Sequence, residues 1–262
     1  MSSPARPVES ARDQLTRLQR LLLPAGLPPI GCTEIAVEYR SHNHELELGG
    51  DWYDLVDRDD GRIVAIVGDV VGHGLEQISV MGQLRAAANA LARRCEDPAS
   101  LVRDLDGFAA DLPGAEMATM AVVMLDGSNV ARIASAGHPP TVHVTAQGEV
   151  RSVEVGRRPP LTMGRGEPTV GTFEYGVDDL LVLYTDGLVE RRGGSVDDAI
   201  DAVGEVVASM IDAPCIDIAA RLTDDASETA EDDIAVMVMR PLHQRGPSYL
   251  LTPQEPPSVR IG

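Results

Sequence analysis

The stretch Gly49-Gly50-Asp51-Trp52-Tyr53-Asp54, followed by Asp59-Asp60-Gly61 and then Ile63-Val64-Ala65-Ile66-Val67-Gly68-Asp69, decides how this chain is read. An Asp-Gly turn between two strand-like runs is a strong hairpin signal. If the chain reverses near Asp60-Gly61, antiparallel pairing sets Asp51 opposite the neighbourhood of Asp69, because both lie equally far from the turn. Two carboxylates brought to one end of a hairpin repel and raise one another's pKa, so the arrangement implies a bound cation or a shared proton. Hard divalent ions such as magnesium and manganese take such oxygen ligands.

Outward from this hairpin, strand-like runs fall at 35–40, 52–56, 63–67, 120–125, 130–134, 142–145, 180–184 and 234–239. Several are apolar without a break, as strands buried on both faces must be. Helical spacing appears in Leu75, Ile78, Met81, Leu84, Ala88 and Leu91, and again in Leu101, Leu105, Phe108 and Leu112. Val196, Ile200, Val203, Val207 and Met210 mark a third helix, and Ile216, Ala219, Ala220 and Leu222 a shorter fourth. Strands cluster with strands and helices with helices, so the fold class is α+β, with packed antiparallel sheets covered by helices. Two more aspartate positions stand at strand ends: Asp186 follows 180–184, and Asp232-Asp233 precedes 234–239. Any one of these taken alone reads as an ordinary turn. Together, beside Gly49, Gly50, Gly68, Gly72, Gly74 and Gly187, which permit close backbone approach, they read as carboxylates converging on one sheet edge.

The composition narrows the chemistry. A chain of 262 residues is long enough for one substantial core with loose ends. Its formal charge of −19, from 41 acidic and 22 basic residues, repels nucleic acid and anionic lipid, so neither is expected as a partner. Every basic residue is arginine, which removes a P-loop lysine, a Schiff base and a lysine general base. The three cysteines, Cys32, Cys95 and Cys215, have none of the paired spacings of zinc sites or disulfide frameworks and read as reduced thiols. The polar start is unlike a signal peptide, and no apolar run approaches the ~20 residues of a membrane-spanning helix, so a cytoplasmic location is expected. Apolar residues at Val8, Ala11, Leu15, Leu18 and Leu22 predict a lead-in helix within residues 1–24, ended by Pro24. Residues 241–262, with five prolines and little apolar periodicity, read as a disordered tail.

Five segments in order, GGDWYD (49–54), GDVVGHG (68–74), SAGHPP (135–140), YTDGLVE (184–190) and EDDIAV (231–236), resemble the SpoIIE-like bacterial branch of the PPM phosphatases, relatives of the type 2C protein phosphatases. The resemblance covers residues 35–240 and implies a PPM-type phosphatase domain over about 30–240. It implies an αββα sandwich of two antiparallel sheets flanked by helices, with two manganese or magnesium ions at the sheet edge. On its motifs, Asp51 and Asp69 match the residues that bridge the metals, the Val70 carbonyl a backbone ligand, and Asp186 and Asp232 ligands of one ion. The activity expected is that of a metal-dependent protein serine/threonine phosphatase. In it, a water between the two ions, held by Asp51 and Asp69, attacks phosphorus in line with the departing serine or threonine oxygen. The implied partner is a phosphorylated regulatory protein, an anti-sigma-factor antagonist, placing the chain in sigma-factor regulation. A non-catalytic interaction module on the same fold is the alternative, and it would be favoured by loss of ligands; all four aspartates are present.

Other residues carry less. His73 stands four residues after Asp69, where Val71 occupies the position of a histidine in eukaryotic relatives, and reads as part of the Gly72-His73-Gly74 turn. His42 and His44 lack a third ligand and read as a solvated loop. His138, before Pro139-Pro140, is expected to shape its loop, and Ser135 lacks the context of an activated nucleophile. Asp54 suits either a further ligand or a strand-facing hydrogen bond. The lead-in helix is marginal by itself; it packs on its own domain or pairs with a second copy in a homodimer.

Overall fold

The computed structural model describes residues 17–18, 21–28, 30, 32–41, 49–164, 166–190, 194–227, 230, 232–242 and the backbone of 258–261. Strands β1 (Thr33–Arg40), β11 (Ile234–Pro241), β10 (Leu180–Tyr184), β6 (Thr141–Val144) and β7 (Val150–Val153) form one sheet, with β12 (Ser258–Ile261) outside β1. The second sheet runs β2 (Trp52–Asp57), β3 (Ile63–Asp69), β4 (Thr119–Leu125) and β5 (Val130–Ala136). Its edge is completed by β8 (Arg157–Arg158) and β9 (Gly171–Glu174), both on β5. Pairing is antiparallel except for β1 with β12 and β5 with β8. Helices α1 (Leu75–Ala92) and α2 (Pro98–Ala110) cover the second sheet, and α3 (Val196–Ser209) and α4 (Cys215–Ser227) the first. The fold is therefore α+β, an αββα sandwich. Among the described residues, no helix is long and apolar enough to cross a membrane.

The unbroken apolar strands follow from this layering. In β11, Ala235, Met237 and Met239 point into the core between the sheets, while Ile234, Val236 and Val238 meet α3 and α4. β10 divides alike, with Leu181 and Leu183 on one side and Leu180, Val182 and Tyr184 on the other. With a side-chain period of two and a hydrophobic layer on each face, every position must be apolar. Helix α2 opens on a reciprocal cap: the Asp97 carboxylate accepts from Ser100 N–H at 2.7 Å, and the Ser100 hydroxyl accepts from Asp97 N–H at 3.2 Å.

Strands β7, β8 and β9 were not anticipated by the apolar pattern. They are short, mostly polar edge strands held by backbone pairing, and an edge needs no buried face. The expectation of a disordered tail is corrected at its end, where Ser258–Ile261 pair in parallel with β1 and cover what would be an open edge. Residues 243–257 lie outside the described residues, as does most of the lead-in helix; of that helix, residues 17, 18, 21 and 22 are helical. Just beyond it Leu23, Leu27 and Ile30 are buried in the main core, while Leu18 and Leu21 are exposed.

One polar contact fastens α1 to the second sheet. Arg85 Nη1 donates to Asp54 Oδ2 at 2.8 Å, and the other oxygen accepts from Leu55 N–H at 2.9 Å. Asp54 is thus the strand-facing hydrogen-bonding group of its two readings. Burial raises its pKa, and Arg85 works against that shift. Arg85→Ala is expected to cost about 3–5 kcal/mol at neutral pH by stranding a buried charge. A raised acid pKa means the folded state binds more protons than the unfolded one, so stability falls as pH rises. Removing Arg85 raises the pKa further, and urea unfolding across pH 4–8 should show the deficit shrinking toward acid.

Candidate metal centre

The β2–β3 hairpin delivers the first two carboxylates. Its turn closes with Gly61 N–H donating to the Arg58 carbonyl and Arg58 N–H to the Arg62 carbonyl, while Asp60 Oδ1 accepts from Arg62 N–H. Gly61 occupies φ 86°, a conformation open to glycine. From there the register runs Asp57 with Ile63 to Trp52 with Gly68, so Asp51 and Asp69 come next along both strands. Val70 N–H then donates to the Gly50 carbonyl at 3.2 Å. Gly50 has to be glycine here, since a Cβ would lie 2.0 Å from the Val70 carbonyl oxygen.

The other sheet supplies Asp186, which opens a single 3-10 turn, Asp186–Leu188, directly after β10. Gly187 lets that turn close onto the start of β11, because a Cβ at this position would lie 2.1 Å from the Asp233 carbonyl. One oxygen each of Asp51, Asp69 and Asp186 lies within 4.8 Å of the others. Asp232 falls outside this triangle and is exposed, its Oδ1 accepting from Asp233 N–H at 2.8 Å, yet its charge raises both Asp69 and Asp186. Both oxygens of Asp233 are engaged by hydrogen bonds, Tyr39 donating to Oδ2 at 2.6 Å and Ser41 to Oδ1 at 3.2 Å.

Without a counter-charge these carboxyls resist ionisation. Burial, then the charges of Asp69, Asp233 and Asp186, drive the pKa of Asp51 well up, while a hydrogen bond from Thr185 opposes them. Asp69 is pushed up to about 7 by burial and by Asp186 and Asp232, with a hydrogen bond from the Asp51 carboxyl pulling the other way. Asp186 is pushed up to about 6 by burial, Glu190 and Asp232. An all-oxygen set of carboxylates from both sheets, with the Val70 carbonyl held against Gly50, fits hard divalent cations.

The sequence profile described as Stage II sporulation protein E (SpoIIE) matches residues 59–241, well over half of the chain. The chain belongs to the SpoIIE family. This SpoIIE-family domain is similar to the RsbU and RsbW domains of Rv1364c from Mycobacterium tuberculosis, with 33% identity and a TM-score of 0.75 over 86% of this chain and 64% of that one. It also resembles the PP2C phosphatase domain and regulatory-domain fragment of SpoIIE from Bacillus subtilis, at 16% identity and a TM-score of 0.70 over 81% of this chain and 64% of that one. The chain thus spans less than two thirds of the length of either relative. RsbX, solved in complex with magnesium, shares the fold at 14% identity and a TM-score of 0.63, covering 82% of this chain and 98% of that one. The domain shares the fold of the PP2C phosphatase domain of SpoIIE.

Among the described residues, no histidine belongs to the acidic triangle. His73 is exposed, its backbone bridging to Gly49. His138 is buried, with Nδ1 2.8 Å from Thr119 Oγ1, and burial pushes its pKa down to about 4, so it is neutral. Ser135 donates to the His138 carbonyl at 3.3 Å. His42 and His44 lie outside the described residues. Sequence reasoning passed over Thr185, Tyr39 and Ser41, which bond to aspartates far away in the chain; the one available signal was the place of Thr185 beside Asp186. A polar cavity at the opposite end of β10, lined by His143 and Asp179, contains none of these groups.

The raised pKa values set a pH dependence. With Asp69 and Asp186 lifted from 3.8 to about 7 and about 6, the folded chain binds more protons than the unfolded chain in between. Metal-free stability therefore declines as pH rises from about 4 to 7. Asp186→Asn is expected to raise the melting temperature in chelator at pH 8, by relieving repulsion, and to have little effect at pH 5. Calorimetric melts of both proteins at the two pH values check this.

Proposed function

We propose that this chain is a cytoplasmic metal-dependent protein serine/threonine phosphatase, and the observation that carries the reading is the convergence of Asp51, Asp69 and Asp186 from two sheets in a SpoIIE-family domain. Two manganese or magnesium ions would be held by Asp51, Asp69 and the Val70 carbonyl, with Asp186 and Asp232 completing one of them. Such ions supply an acidified water as nucleophile and neutral ground for a phosphate dianion. The chain's own groups do the rest. Asp51 and Asp69, joined by the hairpin register, set the spacing of the centre; Gly50 brings in the Val70 carbonyl; Asp186 meets them from the other sheet. In a chain of net charge −19 the surrounding acidic field disfavours anions everywhere except at a cation-filled centre, which directs a phosphate group there.

The substrate we favour is a phosphoserine or phosphothreonine on a regulatory protein, an anti-sigma-factor antagonist, in line with the family and with the RsbU and RsbW domains of the 33% identical relative. Activity on a phosphopeptide or a generic phosphomonoester should require added manganese or magnesium and vanish with chelator. Asp51→Asn and Asp69→Asn should each lower kcat more than about a hundredfold, equivalent to several kcal/mol of lost charge stabilisation. Full turnover in chelated buffer would sink the reading. The exposed Leu18 and Leu21 further support a homodimer through the lead-in helix. Light scattering should then give twice the chain mass, falling to one chain mass in Leu18→Glu/Leu21→Glu; a monomer before substitution excludes it.

A further inference from the structure

Thr185 lies fully buried between the last residue of β10 and Asp186. Its hydroxyl oxygen accepts from Ala235 N–H at 2.8 Å and sits 2.6 Å from Asp51 Oδ2. The single hydroxyl proton has two acceptors in range. One is the Ala235 carbonyl at 3.5 Å, which already accepts from Thr185 N–H at 3.0 Å; the other is the Asp51 carboxyl at 2.6 Å. Distance, charge and the prior engagement of the carbonyl all send the proton to Asp51. The hydroxyl thus carries a β11 backbone donor across to a carboxylate that stands before β2 in the opposite sheet.

We propose that Thr185 is a positioning residue of the metal centre: its hydroxyl, oriented by Ala235 N–H, pins Asp51 Oδ2 and so leaves Oδ1 facing a cation in one fixed orientation. The proposal rests on the metal-binding role argued above. An aspartate has two side-chain torsions; the Thr185 bond holds the Asp51 carboxylate plane from the side of the first sheet, while Asp69 meets it from its own hairpin. Groups that orient metal ligands typically contribute 10- to 100-fold in metal affinity.

The test compares Thr185→Val, which keeps the shape and removes the hydroxyl, with Thr185→Ser, which keeps the hydroxyl. Manganese binding to the full chain is measured by isothermal titration calorimetry, with melting temperatures in chelator recorded alongside. We expect Thr185→Ser to bind within about threefold of the unaltered chain and Thr185→Val at least tenfold more weakly, in the range typical of ligand-orienting groups. A merely structural threonine would lower the chelated melting temperature, because Ala235 N–H loses its partner, yet leave the affinity of the folded protein unchanged. Unchanged affinity in Thr185→Val overturns the proposal. Should Thr185→Val fail to fold, Thr185→Ser decides alone: retained affinity supports the role, and a tenfold loss despite the hydroxyl overturns it. Failure of the unaltered chain to bind manganese would instead overturn the metal-centre reading, and this role with it.

Discussion

Mutual repulsion among buried carboxylates is the constraint around which this domain is built. Asp51, Asp69 and Asp186 are held within a few ångströms at a sheet edge, where burial and like charge both favour the protonated forms. A chain free to relax would separate them. It is prevented by two sheets whose strands are buried on both faces, so that moving either strand end would expose apolar surface from one core or the other. Packing thus holds in place a cluster that electrostatics alone would disperse, and divalent cations are the natural counter-charge.

Around the cluster, short polar side chains tie one carboxylate to a distant part of the chain. Thr185 reaches Asp51 across 134 residues of sequence, and Tyr39 reaches Asp233 across 194. Tyr39 and Ser41 occupy both oxygens of Asp233 and hold the start of β11, the segment that carries Asp232. His138, neutral in its buried position, meets Thr119, which is the register partner of Asp69. Each contact satisfies a group that burial would otherwise penalise; the Thr185–Asp51 bond joins the two sheets, and the others tie neighbouring strand ends within one sheet.

The helices on the second sheet are linked to the same hairpin. The Arg85–Asp54 pair attaches α1 to β2, three residues beyond Asp51, and α1 itself begins directly after the loop from Val70 to Gly74 that follows Asp69. A shift of α1 would therefore be felt at both carboxylates of the hairpin, through the Arg85 contact at one end and the connecting loop at the other.

What the sequence by itself determined is what local rules govern. The Asp-Gly turn and equal arm lengths set the register that puts Asp51 beside Asp69, and the unbroken apolar runs of β10 and β11 announce strands covered on both faces, because pairing and side-chain period are properties of neighbouring residues. Only the tertiary structure decided the rest. The edge strands β7, β8, β9 and β12 have no apolar signature, since backbone hydrogen bonds to an existing edge are all they require. The separation of Asp232 from the triangle, the turning of Asp233 toward Tyr39, and the bond from Thr185 to Asp51 depend on how one sheet lies over the other. That placement is set by the summed packing of the core, and no short stretch of sequence encodes it.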